Sequence, residues 1–159
     1  MNDGIQFAEL LEYTEEETRR WKEFFIRHPE TLDLPLDVAG TVRRLILHVF
    51  AVELYFANAL LGLERVNPDA HSMDTLDDLF AISEHASDLY REFFSKAKPE
   101  DWTEMVDLGR IRRRANRRKV AAQSLTHSIR HWAQIATYLR QQGFKQDWHH
   151  DLLMSHAMD

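Results

Sequence analysis

Two histidines placed four residues apart, His127 and His131, have the residue type and spacing best suited to chemistry in this sequence. They lie in residues 119–143, which are predicted to form one long helix ending at Gly143. Residues four apart on a helix project from the same face, one turn apart. Two imidazoles so placed can bind one metal ion. The pair alone is a weak signal, because many helices carry this spacing by chance.

A third histidine, His48, lies in the middle of another predicted helix that has apolar residues on almost every side. A single histidine in such a helix is more often a neutral core residue with one hydrogen bond than a metal ligand. In a helical bundle, however, the inward faces that carry His48, His127 and His131 can meet in the core. Three neutral imidazoles would hold a divalent ion and leave one or more positions open for water or substrate, which is typical of catalytic metal sites.

The residues around these histidines exclude two common kinds of metal site. Ser128 follows His127, so the His-Glu-x-x-His pattern of metalloproteases is absent, together with its general base. A di-iron carboxylate bundle needs inward Glu-x-x-His pairs on two helices, and neither histidine helix provides one. Glu53 lies five residues from His48 and is expected off its face, so no carboxylate base can be placed beside the histidines. The sequence has no cysteine, and any thiol must therefore come from another molecule.

Four helices are predicted from the periodicity of apolar residues, at 5–28, 41–61, 74–97 and 119–143. Thr41 is expected to cap the second helix and Gly62 to close it. Residues 99–118 are the least regular part and are compatible with a short extended segment. The tail after Gly143 reads as a short helix or a loose end, so its histidines are not assigned to the metal site. These elements predict an all-α four-helix bundle.

The composition predicts a single soluble domain spanning residues 1–159. The chain is 44% hydrophobic, which is enough for one core, and its net charge of −6 favours solubility. No apolar run is expected to reach the roughly 20 residues of a membrane span. The acidic N-terminal segment lacks the basic-then-apolar layout of a signal peptide. We therefore expect a cytoplasmic protein that does not associate with membranes.

A basic run occupies residues 110–119, with seven arginines or lysines. Nucleic-acid binding is disfavoured, because the run lacks interleaved aromatic residues and no DNA- or RNA-binding motif accompanies it. The simplest interpretation is a solvated basic segment balanced by acidic neighbours. An intermediate interpretation is that one or two of these arginines bind an anionic small molecule.

Two segments of the chain resemble the DinB-like (DinB/YfiT) superfamily. The first is residues 45–62, LILHVFAVELYFANALLG, which is similar to that family's histidine-bearing second helix. The second is residues 116–144, NRRKVAAQSLTHSIRHWAQIATYLRQQGF. It resembles the family's signature of two histidines separated by three residues and followed by a Tyr-Leu-Arg-Gln-x-Gly ending. The order and spacing of the helices extend the likeness over nearly the whole chain.

The likeness has departures within the last helix. Trp132 and Ala133 stand where the family often has Arg-Gly, and Ser128 and Arg130 stand where Glu and His are frequent. These changes leave the histidines intact and are expected to alter the rim and surroundings of the pocket. Gln134 fits the family's glutamine and is expected to orient a ligand or a helix contact.

The resemblance implies an up-down-down-up four-helix bundle that is usually dimeric. It implies a divalent metal ion, typically zinc or nickel, on His48, His127 and His131. Family members of known activity depend on low-molecular-weight thiols, as transferases that use bacillithiol and as a maleylpyruvate isomerase that uses mycothiol. The expected partners are therefore a small-molecule substrate or thiol and a second copy of the chain. The many apolar residues on the first two helices favour a homodimer.

Three functional hypotheses remain open at this point. The first is a metal-dependent transferase or isomerase that acts on a small molecule with an external thiol. The second is a metal-dependent hydrolase, which needs a carboxylate base near the ion. The third is a stress-related dimeric protein whose metal is structural or sensory, without turnover.

Overall fold

The computed structural model describes residues 6–65, 67 and 70–159, and four long helices dominate it. The helices are α1 (Phe7–Arg27), α2 (Val42–Leu61), α3 (Leu76–Lys96) and α4 (Arg117–Gln141). All four predicted helices are therefore confirmed, and their described ends differ from the predicted ones by at most two residues. The predicted start of the first helix, at residue 5, lies outside the described residues.

Side-chain caps and one glycine set the ends of the two helices that carry histidines. The Thr41 hydroxyl accepts a hydrogen bond from the backbone N–H of Arg44 at 3.2 Å, and Gly62 ends α2 in the left-handed region at φ 70°. Both features were predicted, since threonine caps helices and glycine tolerates positive φ. Asn116 accepts from the N–H of Lys119 at 2.8 Å, which places the start of α4 two residues earlier than predicted.

The core of the bundle lies where α1, α2 and α4 bring large aromatic side chains together. Trp21 of α1 stacks on Trp132 of α4 with ring centroids 5.3 Å apart, and Phe50 of α2 meets Trp132 edge-on at 5.8 Å. α2 packs on α3 and α4, and α1 packs on the same two helices. Burial of each such side chain contributes about 1.5–3 kcal/mol. The structure confirms an all-α four-helix bundle.

α2 is the most apolar of the described helices. Its 20 residues make it long and apolar enough to cross a membrane. It therefore comes closer to a membrane span than expected from the sequence. However, 67% of its most apolar 18-residue stretch is buried inside the bundle. This burial favours a core helix of a soluble protein, because the apolar faces are covered by α3 and α4.

Two antiparallel hairpins connect the helices. β1 (Pro35–Leu36) pairs with β2 (Gly40–Thr41) between α1 and α2, and β3 (Met105–Asp107) pairs with β4 (Arg114–Asn116) between α3 and α4. The extended segment expected within residues 99–118 is the second hairpin. Short 3₁₀ helices complete the connections at Pro29–Asp33, Asp101–Thr103, Gly109–Ile111 and Leu152–Met154.

The segment that follows α4 is packed on α1. Buried Glu17 accepts hydrogen bonds from the indole N–H of Trp21 at 2.9 Å and of Trp148 at 3.1 Å, and its carboxylate also contacts His150 Nδ1. The Tyr13 hydroxyl donates to the carbonyl of His150. One prediction for the tail, a short helix, is confirmed at residues 152–154. The other, a loose end, is wrong, because the tail supplies partners that the buried Glu17 needs.

Candidate metal centre

The three candidate ligands lie on two helices that pack against each other. His48 is on α2, while His127 and His131 follow one another by one turn on α4. One ring nitrogen from each of the three residues lies within 4.8 Å of the other two. The structure therefore brings together the three histidines that the sequence selected, and the cluster can hold a metal ion.

The spacing of the rings fits one ion. The ring centroids of His127 and His131 are 4.4 Å apart, and that of His48 lies 5.1 Å from the first and 5.3 Å from the second. The Nε2 atoms of His127 and His131 are 3.2 Å apart. Two nitrogen ligands held about 2.0–2.1 Å from a tetrahedral zinc ion lie about 3.3 Å apart. These two atoms thus have the separation that a shared ion requires.

The cluster lies at the surface of the bundle. His127 is buried, with 8% of its surface exposed, whereas His131 is half-buried and His48 is exposed. The expectation that the three histidines meet in the core is therefore wrong, although the three do meet. The reason is that α2 turns its most apolar faces toward α3 and α4 and leaves the His48 face at an open cavity. Small molecules can reach the rings from this side.

Two features prepare the rings for binding a cation. Burial lowers the pKa of His127 to about 4, with smaller contributions from the neighbouring His131, His48 and Arg130. The ring is therefore neutral at physiological pH and keeps a lone pair for a ligand bond. His131 Nδ1 donates to the side-chain oxygen of Gln134 at 3.0 Å, which leaves its Nε2 as the acceptor facing the cluster. The orienting role expected for Gln134 thus has a visible contact.

A cavity of about 520 Å³ adjoins the cluster and is lined by His48 and His131. This volume is in the range of about 300–1,000 Å³ that small-molecule sites occupy. Its walls are largely apolar side chains of α2, and its charged residues are Asp37, Arg44 and Arg110. The sequence did not identify Asp37 and Arg44 as cavity residues. Asp37 lies in the turn of a hairpin, and Arg44 is one of several exposed arginines until the fold places it at the cavity, one turn from His48.

The residues that directly follow the two α4 histidines face the other side of the helix. Trp132 is only 2% exposed and belongs to the aromatic core, and Ser128 is fully buried. One residue along a helix turns the side-chain direction by about 100°. Neither residue lines the histidine cavity, so the change expected at the rim is wrong for Ser128 and Trp132, while the change expected in the surroundings of the pocket stays a prediction.

Ser128 belongs to a second polar cluster built around Glu53. The Glu53 carboxylate, which is 5% exposed, accepts hydrogen bonds from the hydroxyls of Ser83 at 3.0 Å and of Ser128. Burial raises the pKa of Glu53 to about 7, partly offset by these two hydrogen bonds. Glu53 lines a separate groove of about 460 Å³ beside α1 and α3. It is not among the residues that line the histidine cavity, as the spacing predicted.

The basic run at 110–119 divides between solvent and the cavity. Most of it is exposed on the β3–β4 hairpin and the start of α4. Arg117 pairs with Glu104 at 2.7 Å, in agreement with a basic segment balanced by acidic neighbours. Arg110 instead lines the histidine cavity and donates to the side chain of Asn67. Among the described residues of the run, it is the one cation with access to the cluster.

Comparison with known proteins agrees with these features. A family model described as the DinB family matches residues 1–157, which is nearly the whole chain. No curated protein matches the chain. The match covers both helices that carry the candidate ligands.

Proposed function

Because the chain belongs to the DinB family, we propose that it is a metal-dependent enzyme that uses an external low-molecular-weight thiol. In this proposal His48, His127 and His131 hold one divalent ion, zinc or nickel. The reaction is transfer of the thiol to a small molecule or thiol-dependent isomerisation of that molecule. The proposed protein acts in the cytoplasm.

One observation carries the proposal: ring nitrogens of three histidines converge within 4.8 Å of one another at the edge of a cavity that a small molecule can enter. A bound divalent ion would lower the pKa of a coordinated thiol, so that thiolate is present at neutral pH. The three rings occupy one side of the site, and the cavity leaves the opposite side accessible. A structural zinc site would instead be closed by four protein ligands.

The chain's own residues supply orientation and access. Gln134 fixes the ring of His131, and burial keeps His127 neutral. The absence of cysteine means that the sulfur must be supplied by a second molecule. The exposed His48 side of the cluster provides the entrance for that molecule.

A second candidate, metal-dependent hydrolysis, is favoured by the presence of Asp37 among the cavity residues. Its carboxylate is the kind of group that can accept a proton from a bound water. The variant Asp37→Asn distinguishes the two candidate functions, because it should abolish hydrolysis and leave thiol transfer largely intact. The non-catalytic alternative, a stress-related dimeric metal protein, predicts that metal removal changes stability and that no thiol-dependent turnover exists.

The first experiment measures the metal content of natively purified, untagged protein beside His127→Ala. A matched control is His85→Ala, since His85 is exposed on α3, outside the cluster. We expect about one zinc or nickel ion per chain in the wild type and the control, and none in His127→Ala. The loaded protein is then assayed for transfer with and without added thiols. Metal-free wild-type protein would refute the proposal.

We also propose that the protein is a homodimer, on the basis of the family likeness. The apolar residues of α2 no longer support this, since most are buried within the chain. The exposed apolar side chains that remain on α1 and the tail include Ile26, Leu153 and Met154. Sedimentation velocity at micromolar concentration tests the proposal, and a single monomeric species would contradict it.

A further inference from the structure

We propose that the histidine cavity binds a small molecule made of a carboxylate and an apolar body, with Arg44 and Arg110 binding the carboxylate. This inference rests on the proposed function and specifies the substrate class of the same site. It follows from the charges that line the cavity, from their contrast with the other groove, and from the apolar walls and lip.

Two guanidinium groups reach the cavity from different parts of the chain. Arg44 lies on α2 four residues before His48, so both side chains project from one face. Arg110 comes from the 3₁₀ turn between β3 and β4. Asp37 lines the same cavity, and its Oδ1 accepts the backbone N–H of Val38 at 2.9 Å. Two positive charges against one negative charge leave the lining cationic, apart from the histidines.

Arg44 is the more available of the two cations. It is exposed, and within the part of the chain that the structure describes no ion pair engages it. Arg110 already donates to Asn67. The planar fork of an arginine presents paired donors that match the two oxygens of a carboxylate. We therefore assign Arg44 the main contact and Arg110 a supporting one.

The groove beside α1 and α3 shows that this charge pattern is particular to the histidine cavity. Its charged lining residues are Glu15, Arg19, Lys22, Glu53, Glu84, Asp88 and Arg91. Acids outnumber cations there, and all three cations are already paired: Arg91 with Glu15 at 2.6 Å, Lys22 with Glu84 at 3.5 Å and Arg19 with Glu23 at 3.1 Å. An anion thus has a reason to prefer the histidine cavity.

The remainder of the histidine cavity is apolar. Leu45, Val52 and Tyr55 of α2 line its wall, while Val38 and Ile111 stand at its lip. Val38 is fully exposed and Ile111 is 51% exposed. Apolar surface left in water at the mouth of a cavity favours a ligand that covers it. This wall disfavours a sugar, because the sugar hydroxyls would lose hydrogen bonds to water without gaining partners in the cavity.

The turn that carries Val38 is unusual for its residue type. Val38 has φ 62°, in the left-handed region that β-branched residues rarely adopt. The β1–β2 hairpin holds the valine there, at the lip of the cavity and pointing into solvent. Such conformations persist where the surrounding structure enforces them and are frequent at ligand sites.

The test compares two probes that differ only at the charged end, 4-phenylbutyrate and 4-phenylbutyramide. Both are titrated by NMR into the full-length protein, with and without metal. We expect the carboxylate to bind at least about tenfold more tightly than the amide, as a charge-assisted pair allows. Arg44→Gln should remove this preference, Arg44→Lys should keep part of it, and Arg110→Gln should weaken it. Arg19→Gln, in the other groove, is the control that should change nothing.

Two results would overturn the inference. One is equal affinity of the wild type for the carboxylate and the amide. The other is a preference that survives both arginine variants and vanishes on chelation, because the carboxylate would then bind the ion directly. Should Arg44→Gln fail to fold, Arg110→Gln and Arg44→Lys still decide the question. Metal content is measured on the same samples. If the protein prefers the carboxylate but binds no metal, only the proposed enzyme is refuted. If it binds metal but does not prefer the carboxylate, only this inference is refuted.

Discussion

The two polar clusters beside α4, one around Glu53 and one made of the three histidines, differ in whether the chain supplies their binding partners. The Glu53 cluster is buried, and its carboxylate oxygens each receive a hydroxyl hydrogen bond from Ser83 or Ser128. The histidine cluster is open to a cavity, and the Nε2 atoms of His127 and His131 face each other 3.2 Å apart, at the separation that a shared ion requires. Polar groups that the chain satisfies itself hold the fold together, whereas nitrogen atoms that converge at an opening are suited to a ligand.

The contrast has a free-energy side. A buried polar group without a partner costs about 1–3 kcal/mol, and His127, the buried ring of the three, has such a group in its Nδ1, which has no hydrogen-bond partner among the described residues. A cation offers the three converging rings one shared partner. Because His127 and Ser128 are neighbours in sequence but belong to different clusters, substitutions at these two positions can separate binding from stability.

The largest effect is expected for His127→Ala. Removing one of three ligands should lower the affinity for zinc by more than about 100-fold, or about 3 kcal/mol. The stability of the metal-free protein should change little, since among the described residues the ring makes no hydrogen bond outside the cluster. Competition with a fluorescent chelator measures the affinity, and urea unfolding in chelator measures the stability. A variant that binds zinc as well as the wild type would show that the cluster is not the site.

Glu53→Gln should give the next largest effect, as a change in how stability depends on pH. The carboxyl of Glu53 has a folded pKa of about 7, raised by burial from 4.5. Its neutral form is favoured in the fold, so the stability it contributes is complete below about pH 4.5 and is lost as the pH rises through about 7. Between about pH 4.5 and 7 the free energy of unfolding of the wild type should therefore fall by about 3 kcal/mol relative to that of Glu53→Gln.

The measurement for Glu53→Gln is urea unfolding of both proteins at several pH values between 4 and 8, in chelator. Other titrating groups are shared and cancel in the difference between the two proteins. Parallel curves would mean that Glu53 ionises in the fold as it does in the unfolded chain, and that burial does not raise its pKa.

Ser128→Ala should destabilise the protein by about 2 kcal/mol, because the Glu53 carboxyl loses one of its two hydroxyl donors. Zinc affinity should stay within about threefold of the wild type, since Ser128 faces away from the cavity. Thermal unfolding and the chelator competition measure the two quantities. Together with its neighbour His127→Ala, this variant tests the comparison directly: loss of zinc binding in Ser128→Ala would mean that the two clusters act as one.

The parts that the sequence could predict are those with local causes. The helices follow from apolar periodicity, and the pairing of His127 with His131 follows from one turn of helix. That His48 would join them was suggested by the bundle and by family likeness, and the structure places it there. The exposed position of the cluster was missed, because which face of α2 lies open depends on the packing of α3 and α4.

The parts that the sequence could not predict involve residues far apart in the chain. Glu17 lies on the buried face of α1, and nothing local shows that Trp148 and His150 return from the tail to partner its carboxylate. The cavity charges are of the same kind, since Asp37 and Arg110 come from two hairpins that only the fold brings beside α2.

The smallest effect is expected for Gln134→Ala, which probes how far the open cluster is supported by its surroundings. The side-chain oxygen of Gln134 accepts from His131 Nδ1 at 3.0 Å and so directs Nε2 toward the other rings. Partners of this kind are typically worth about 10–100-fold in metal affinity, and because Gln134 is exposed we expect the lower end, about tenfold. Gln134→Glu should retain or raise the affinity, since a carboxylate accepts the same hydrogen bond more strongly. Equal zinc affinities for wild type, alanine and glutamate variants would mean that α4 alone orients His131, and the open cluster would then need no support beyond the helix.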